Sequence, residues 1–293
     1  MTTLTDGPPA SGKERIVLIA GSGMLPVFVA RAIAEAGQDL FVLLIDGEAD
    51  ASELAKFPHQ TARLEDVATV VPLLRRIGAS TVVLSGGVSR RPNWRRMKPS
   101  LELLRVSRHL WSALRKGDNG ALSTLVRQIE LAGIRVVGAH TLVPDLLASG
   151  GRIAGPDPSR GDLADITAAF RAAKAIGALD FGQAVVAIGN RIAAVEGVEG
   201  TDGLLERVAS YRGKGRLADA KGGVLVKCAK PGQELRADLP TIGPATVDAA
   251  HRAGLNGIAV EAERALVLEQ ARVIDRAETL GLFVVGVSEA DLP

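Results

Sequence analysis

The stretch RIVLIAGSGMLP, which spans Arg15–Ala20 and the turn at residues 21–26, decides the fold class of the N-terminal half. Beyond its first residue, Arg15–Ala20 is an unbroken apolar run, which predicts a strand buried on both faces of a parallel sheet. A glycine-rich turn follows, and residues 27–36 have the apolar spacing of a helix. A strand, a tight turn and a helix in this order indicate the first part of a βαβ unit.

The same pattern continues through residue 149. Further strands are predicted at residues 40–46, Thr81–Ser85 and residues 134–138, and further helices at residues 65–77, 101–116 and 121–132. Short strands alternating with helices predict a Rossmann-like, doubly wound parallel sheet over residues 15–149.

The second half has a different pattern. Residues 150–162 are dense in Gly, Pro and charge, which predicts a linker. A distinct mixed α/β domain is expected over residues 163–293, with a hairpin turning at Gly189-Asn190. Its other predicted elements are helices at residues 163–176, 245–253 and 269–280 and strands at residues 223–228, 257–260 and 282–287.

The composition limits the class of protein. Of the 293 residues, 47% are hydrophobic and only 3% aromatic, which suits helices packed on a parallel sheet. Lys and Arg number 35 against 33 Asp and Glu, and a formal net charge of +2 argues against a nucleic-acid partner. The single cysteine, Cys228, excludes an internal disulfide and is typical of a reducing compartment. The four histidines lack zinc-finger spacing.

The start of the chain and its apolar runs bear on location. Residues 1–14 are polar and predict a disordered leader, which we expect to be dispensable, and not a signal peptide. No apolar run reaches the roughly 18 residues that a membrane span needs. We therefore expect a cytoplasmic protein whose membrane contact is peripheral.

The first glycine-rich turn contains Gly21, Ser22 and Gly23. Small residues let backbone N–H groups approach a phosphate at a helix N-terminus, and Asp46 at the end of the next strand could hold a ribose hydroxyl. Pro26 stands where the dinucleotide fingerprint has its third glycine. An NAD site, another nucleotide contact and a plain tight turn all stay open.

The second glycine-rich turn contains Ser85, Gly86, Gly87 and Ser89. Because the carboxyl ends of parallel strands meet at one edge of a sheet, both turns are expected to open on that edge, as a ligand contact or as tight turns.

Residues 90–98, RRPNWRRMK, carry five cations around a tryptophan. They fit either a solvated loop or a contact with anionic lipid headgroups.

Acidic and basic residues follow the predicted strands of the second half. Glu196 and Asp202 follow the hairpin, Lys227 and Lys230 follow the next strand, and Asp238 precedes a Leu-Pro pair. Each is singly typical of a cap or turn, but together they suit metal-assisted phosphoryl chemistry, in which carboxylates hold Mg²⁺ or orient water and lysines offset phosphate charge. The sequence contains neither a GxxxxGK[ST] phosphate loop nor a GxSxG nucleophile turn.

Seven blocks carry a family resemblance: LIAGSGMLP, SGGVSRRP, RKGDNGAL, ALDFGQAVV, AVEGVEGTD, KCAKPGQELRADLPTIG and LGLFVVGV. Their order resembles the UDP-2,3-diacylglucosamine pyrophosphatases of lipid A biosynthesis, of the type unrelated to the metallophosphoesterase-fold isozymes. The resemblance runs from about Arg15 to Val287, and EGTD and DLPTIG are its most specific blocks. It implies hydrolysis by water attack on the α-phosphorus, with Mg²⁺, giving UMP and 2,3-diacylglucosamine 1-phosphate between a nucleotide-domain-like half and a distinct C-terminal half.

The resemblance also implies roles for individual residues. Asp238 would be the essential acid, with Glu196 and Asp202 as catalytic neighbours. The motif does not fix the individual metal ligands, and we infer these three carboxylates as the candidate Mg²⁺ ligands. The residues expected to contact substrate are Gly21, Ser22, Gly23, Ser85, Gly86, Gly87, Ser89, Lys116, Asp118, Asp180, Gln183, Thr201, Lys227, Lys230 and Thr241.

The expected partners are a UDP-linked diacylated sugar and, peripherally, lipid of the inner membrane on its cytoplasmic face; a homodimer stays open. Two alternative functions remain. An NAD(P)-dependent oxidoreductase would explain the first glycine turn and Asp46, but not the acids of the second half. A non-catalytic nucleotide-sugar or lipid-binding module would explain the basic residues 90–98 without a role for Asp238.

Overall fold

The computed structural model describes residues 14–88, 118–217 and 221–292. The chain divides into two compact units. The N-terminal unit contains the residues up to Pro144 together with Arg236–Asp238, and the C-terminal unit contains Asp145–Leu235 and the residues from Leu239 onward. The predicted α/β class, with a parallel N-terminal sheet and a mixed C-terminal sheet, is confirmed.

The described part of the N-terminal unit contains a five-stranded parallel sheet of order β3-β2-β1-β4-β5. The chain order reverses direction between β1 and β4, which makes this the topological switch point where ligands of such sheets bind. The strands are β1 (Arg15–Ala20), β2 (Asp39–Ile45), β3 (His59–Ala62), β4 (Thr81–Ser85) and β5 (Arg135–Val137). The helices are α1 (Leu25–Glu35), α2 (Ala51–Leu54), α3 (Val70–Ile77), α4 (Asp118–Leu131) and α5 (Ala139–Leu142).

Helices cover both faces of this sheet, because its central strands are apolar on both sides. Leu18 packs into a core with Val29 of α1, whereas its neighbour Val17 packs into a second core with Leu74 of α3. All four residues are fully buried. Burying both faces excludes water from the sheet and leaves the turns at its carboxyl edge as the accessible ends of the strands.

The C-terminal unit contains, in its described residues, a six-stranded mixed sheet of order β6-β13-β11-β9-β7-β8, in which β9, β11 and β13 are parallel. A two-stranded pair, β10 with β12, lies apart from it. The strands are β6 (Gly151–Ala154), β7 (Ala184–Ile188), β8 (Arg191–Val195), β9 (Val224–Lys227), β10 (Thr241–Ile242), β11 (Gly257–Glu261), β12 (Leu266–Val267) and β13 (Phe283–Val287). The helices are α6 (Arg160–Ala178), α7 (Gly200–Gly213), α8 (Pro244–Arg252) and α9 (Gln270–Leu280).

The predicted hairpin is confirmed. Gly189 and Asn190 both have positive φ, at 60°, as a two-residue turn with left-handed central residues requires. The buried carboxylate of Asp165 on α6 accepts hydrogen bonds from both of their N–H groups. The turn is therefore tied to the helix that packs on the sheet.

Two predicted segments differ from the structure. The predicted linker, residues 150–162, contains β6, which pairs antiparallel with β13, and the first turn of α6. The predicted helix at residues 65–77 is a 3₁₀ helix over Leu64–Thr69 followed by α3, because Pro72 lacks the N–H that would bond back into the preceding turn. The predicted helix at residues 101–116 lies outside the described residues. Within those residues, no helix combines the length and apolar composition that a membrane crossing needs.

Candidate active site

The two glycine-rich turns of the N-terminal unit lie against each other. The parallel neighbours β1 and β4 bring them to one edge, as predicted. The Gly21 N–H donates to the Ser85 carbonyl at 2.8 Å, the Ser22 N–H donates to the Gly87 carbonyl at 2.7 Å, and the Gly87 N–H donates back to the Ser22 carbonyl at 3.1 Å. These three N–H groups therefore already donate hydrogen bonds to backbone carbonyls of the chain.

Close approach of the two turns explains two of the glycines. A Cβ on Gly21 would lie 2.2 Å from the Gly87 carbonyl oxygen, and one on Gly86 would lie 2.5 Å from the Ser22 carbonyl oxygen. Gly86 also has φ of 88°, which disfavours side chains. Gly23 shares that conformation, at 89°, but nothing lies within 4 Å of its hypothetical Cβ. Contact of these residues with substrate stays a prediction.

Glu196 organises the predicted residues at one end of the C-terminal sheet. Its carboxylate is buried, and Oε2 accepts from the Gln183 N–H at 2.8 Å while Oε1 accepts from the Thr201 hydroxyl at 2.7 Å. Both oxygens are thus engaged in joining the start of β7 to the first turn of α7. This geometry suits a residue that positions its neighbours.

The predicted lysines lie at the same sheet end. Lys227 pairs with Ala184 in the register of β7 and β9, and its Nζ donates to the Thr241 carbonyl at 2.9 Å. Lys230 forms an ion pair with Asp180, with Nζ 2.7 Å from Oδ1. The structure therefore brings together Asp180, Gln183, Glu196, Thr201, Lys227, Lys230 and Thr241.

Asp238 lies in the short segment Arg236–Asp238, which groups with the N-terminal unit. Arg236 forms an ion pair with Glu130 of α4, with Nη1 2.6 Å from Oε1, and Ala237 packs against a core of that unit. Asp238 itself is half-buried. The chain then returns to the C-terminal unit, where the Pro240 carbonyl accepts from the Leu266 N–H at 2.7 Å. Asp238 is thus held by anchored residues on both sides.

The predicted Mg²⁺ ligands form no protein cage. Within the described residues, no group of three or more His, Cys, Asp or Glu side chains is placed to hold a metal ion. Glu196 and the exposed Asp202 belong to the C-terminal unit, whereas Asp238 groups with the N-terminal unit. The oxygen donors nevertheless fit Mg²⁺, which commonly binds through one or two carboxylates plus substrate phosphates and water.

Comparison with known proteins decides the family. The family model described as the LpxI N-terminal domain matches residues 15–146, and the one described as the LpxI C-terminal domain matches residues 149–285. The chain belongs to the LpxI family. One relative, UDP-2,3-diacylglucosamine pyrophosphatase LpxI of Caulobacter vibrioides, is 39% identical over 284 residues, which cover 96% of this chain and 100% of the relative. The family resemblance of the seven sequence blocks is confirmed.

Solved structures resemble this LpxI-family chain only remotely. CobK precorrin-6A reductase is 14% identical with a TM-score of 0.30, and the match covers 96% of this chain and 89% of that one. UDP-glucose 4-epimerase from Brucella ovis in complex with NAD is 14% identical with a TM-score of 0.25, covering 50% of this chain and 38% of that one. Scores this low carry no argument about the site.

Several predicted residues of this LpxI-family chain lie outside the described residues. They are Ser89, Lys116 and the basic residues 90–98. Asp118 begins α4, but its side chain also lies outside the description.

A partly buried ion pair was not predicted from the sequence. Lys174 of α6 lies 2.7 Å from both carboxylate oxygens of Glu261, and Glu261 also accepts from the Ala229 N–H at 2.8 Å. Burial, and secondarily the Glu261 carboxylate, raises the pKa of the Cys228 thiol. The thiol therefore stays protonated at neutral pH, which argues against a nucleophilic role. The local sequence feature that points to the Lys174–Glu261 pair is the position of Glu261 at the end of the apolar strand β11.

His140 was also missed. Its Nδ1, like Ser85 Oγ and Gln183 Oε1, is buried without a hydrogen-bond partner among the described residues. Burial lowers the pKa of the His140 imidazole, so the ring is neutral at physiological pH. The sequence feature that could have identified His140 is its position just after β5, at the carboxyl edge of the sheet.

Proposed function

We propose that this chain hydrolyses the pyrophosphate bond of UDP-2,3-diacylglucosamine, giving UMP and 2,3-diacylglucosamine 1-phosphate by attack of water on the α-phosphorus. One observation carries the proposal. The pyrophosphatase of that name from Caulobacter vibrioides is 39% identical and is matched over its entire length. Both LpxI domains are matched as well, so neither half of the molecule is missing from the comparison.

The residues divide into two roles under this proposal. Asp238, half-buried between two anchored segments, orients and deprotonates the attacking water or binds the metal. Glu196 is a positioning residue, because both of its oxygens are engaged by Gln183 and Thr201. Asp202 and Asp238 are each proposed as a carboxylate ligand of Mg²⁺, alongside phosphate oxygens. Mg²⁺, when bound, supplies neutralisation of phosphate charge.

We further propose that the protein acts in the cytoplasm, at the cytoplasmic face of the inner membrane, as a peripheral protein. The substrate named for the relative carries two acyl chains, so it partitions into lipid. The five cations of residues 90–98 support the proposal, since each adds roughly 1 kcal/mol of attraction to an anionic lipid surface.

A direct assay tests the reaction. Purified full-length protein is incubated with UDP-2,3-diacylglucosamine and Mg²⁺, and the nucleotide products are separated by chromatography. Release of UMP is expected, and it should stop when EDTA removes the metal. Bound but unreacted substrate would instead indicate a binding module, and turnover that requires NAD(P) would indicate an oxidoreductase; either result would refute the proposal.

A further inference from the structure

The partly buried Lys174–Glu261 pair holds the backbone of one residue, Ala229, on both sides. The Ala229 N–H donates to Glu261 Oε2 at 2.8 Å, and Lys174 Nζ donates to the Ala229 carbonyl at 3.1 Å. Lys174 Nζ also lies 2.7 Å from both carboxylate oxygens of Glu261. Hydrogen bonds in which one partner is charged are stronger than neutral ones. The ion pair therefore fixes the position of the Ala229 backbone.

Both members of the pair are anchored by further contacts. The Lys174 ammonium lies 5.4 Å from the ring centroid of Phe170, which is one turn earlier on α6 and almost fully buried. Glu261 ends β11, its side chain is only 9% exposed, and Arg264 Nε lies 3.5 Å from its Oε1. The pair is thus attached to a helix and to a central strand of the sheet, and Ala229 is attached to the pair.

Lys230 follows Ala229 directly, and its backbone is restrained as well. Its N–H donates to Gln233 Oε1 at 2.7 Å, and its carbonyl accepts from the Gln233 N–H at 3.1 Å. Helix α6 packs closely against it, since a Cβ on Gly177 would lie 3.2 Å from the Lys230 Cα. The Lys230 ammonium lies 2.7 Å from Asp180 Oδ1. The restraints on this backbone limit the positions that the ammonium can reach.

We propose that Glu261 and Lys174 are positioning residues for Lys230: by holding the Ala229 backbone, they set where the Lys230 ammonium meets the pyrophosphate of the substrate. The inference rests on the proposed function and on the predicted contact between Lys230 and substrate. Neither Glu261 nor Lys174 contacts the substrate in this account. Their effect is on geometry, and a misplacement of about 1 Å can lower a reaction rate on the order of 100-fold.

A double-mutant cycle on the full-length protein tests the inference. Dissociation constants for inorganic pyrophosphate with Mg²⁺ are measured by calorimetry for the wild type, Glu261→Gln, Lys230→Met and the double variant. Lys230→Met should weaken binding about tenfold or more, because it removes a charged hydrogen-bond donor. Glu261→Gln should weaken binding about fivefold alone but less than about twofold in the Lys230→Met background, because its effect passes through the Lys230 ammonium. The KM for UDP-2,3-diacylglucosamine should follow the same pattern.

Two further variants separate positioning from folding. Asp165→Asn is the matched control, because Asp165 is also a buried carboxylate that accepts from backbone N–H groups, those of Gly189 and Asn190. It holds a turn at the opposite end of the sheet from Glu261. Asp165→Asn should be less stable in urea unfolding and keep the wild-type affinity for pyrophosphate. Lys174→Met removes the other half of the pair and should weaken binding as Glu261→Gln does.

The outcomes distinguish this inference from the proposed function. An equal loss of affinity from Glu261→Gln with and without the Lys230 amine would overturn the inference, because the effect would then not pass through Lys230. Unchanged affinity in the folded Glu261→Gln and Lys174→Met proteins would overturn it as well, as would pyrophosphate binding that does not depend on Lys230. If the cycle shows coupling but the wild type releases no UMP from substrate, the proposed function alone fails. If UMP is released without coupling, the inference alone fails.

Discussion

The carboxylates of Asp238 and Glu196 differ in how the chain holds them. Glu196 is buried and accepts two hydrogen bonds from its own unit. Asp238 is half-buried and precedes Leu239, whose backbone is restricted by the following Pro240. Glu196 is therefore expected to stabilise the fold, because a buried carboxylate with both oxygens hydrogen-bonded holds its partners in place, whereas Asp238 is the carboxylate proposed to act on the substrate. We therefore expect removal of the charge to lower kcat at Asp238 and to lower the stability of the fold at Glu196.

Asp238→Asn keeps the shape of the side chain but loses its charge and basicity. We expect kcat to fall roughly 100-fold or more, with the melting temperature and substrate binding little changed. Asp248→Asn is the control, because it removes a carboxylate whose partner is Arg276. That loss should cost at most about 1 kcal/mol and leave kcat intact. Near-normal turnover by folded Asp238→Asn would show that Asp238 is not catalytic.

Glu196→Gln should mainly lower the free energy of unfolding. An amide cannot accept from both the Gln183 N–H and the Thr201 hydroxyl as the carboxylate does, so we expect a loss of about 1–3 kcal/mol in the free energy of unfolding. Glu199→Gln, which loses an ion pair with Arg207, should cost less than about 1 kcal/mol. Urea unfolding measures both variants. A fully stable Glu196→Gln protein that needs more Mg²⁺ for activity would instead make Glu196 a metal ligand.

At the scale of elements, the paired glycine turns after β1 and β4 set the geometry of the switch point. Gly86→Ala would place a Cβ 2.5 Å from a backbone oxygen in addition to the cost of positive φ. Gly23→Ala carries only the φ cost, about 1–2 kcal/mol, since its Cβ would meet open space. We expect Gly86→Ala to lower the free energy of unfolding by at least 1 kcal/mol more, roughly the scale of an overpacked core substitution. Equal losses in thermal melts would contradict the packing account.

Elements with strong local signals were predictable from the sequence, and those that depend on distant partners were not. The apolar run of β1 and the Gly189-Asn190 turn carry their own signal. Strand β3, HQTA, is polar and exists because it pairs with the buried β2 at a sheet edge. Strand β6 likewise depends on β13. Strand propensity of this kind is set by neighbours more than by sequence.

In the candidate site, too, features with a local sequence signal were predictable, and features that depend on distant partners were not. The sequence motifs indicated the residues that cluster around Glu196, because strand ends and turns mark a sheet edge. They gave no indication that both Glu196 oxygens would be engaged, since Gln183 and Thr201 reach it across 13 and 5 residues. His140 and the Lys174–Glu261 pair were missed for the same reason, as burial and pairing arise from tertiary structure.

At the scale of the whole molecule, each unit carries its own part of the residues predicted to contact substrate. The N-terminal unit offers the paired glycine turns after β1 and β4, and the C-terminal unit offers lysines and carboxylates at one sheet end. Arg236–Asp238 is the exception, because three residues within the C-terminal half of the chain group with the N-terminal unit. The pyrophosphatase relative is matched over its full length, so both units have a counterpart in it.

The fate of solvent oxygen tests the proposed reaction most directly. Full-length protein is incubated with UDP-2,3-diacylglucosamine and Mg²⁺ in H₂¹⁸O, and both products are analysed by mass spectrometry. Attack of water on the α-phosphorus predicts one ¹⁸O atom in UMP and none in 2,3-diacylglucosamine 1-phosphate. Label in the lipid phosphate would contradict the site of attack, and the absence of both products would contradict the proposed pyrophosphatase activity itself.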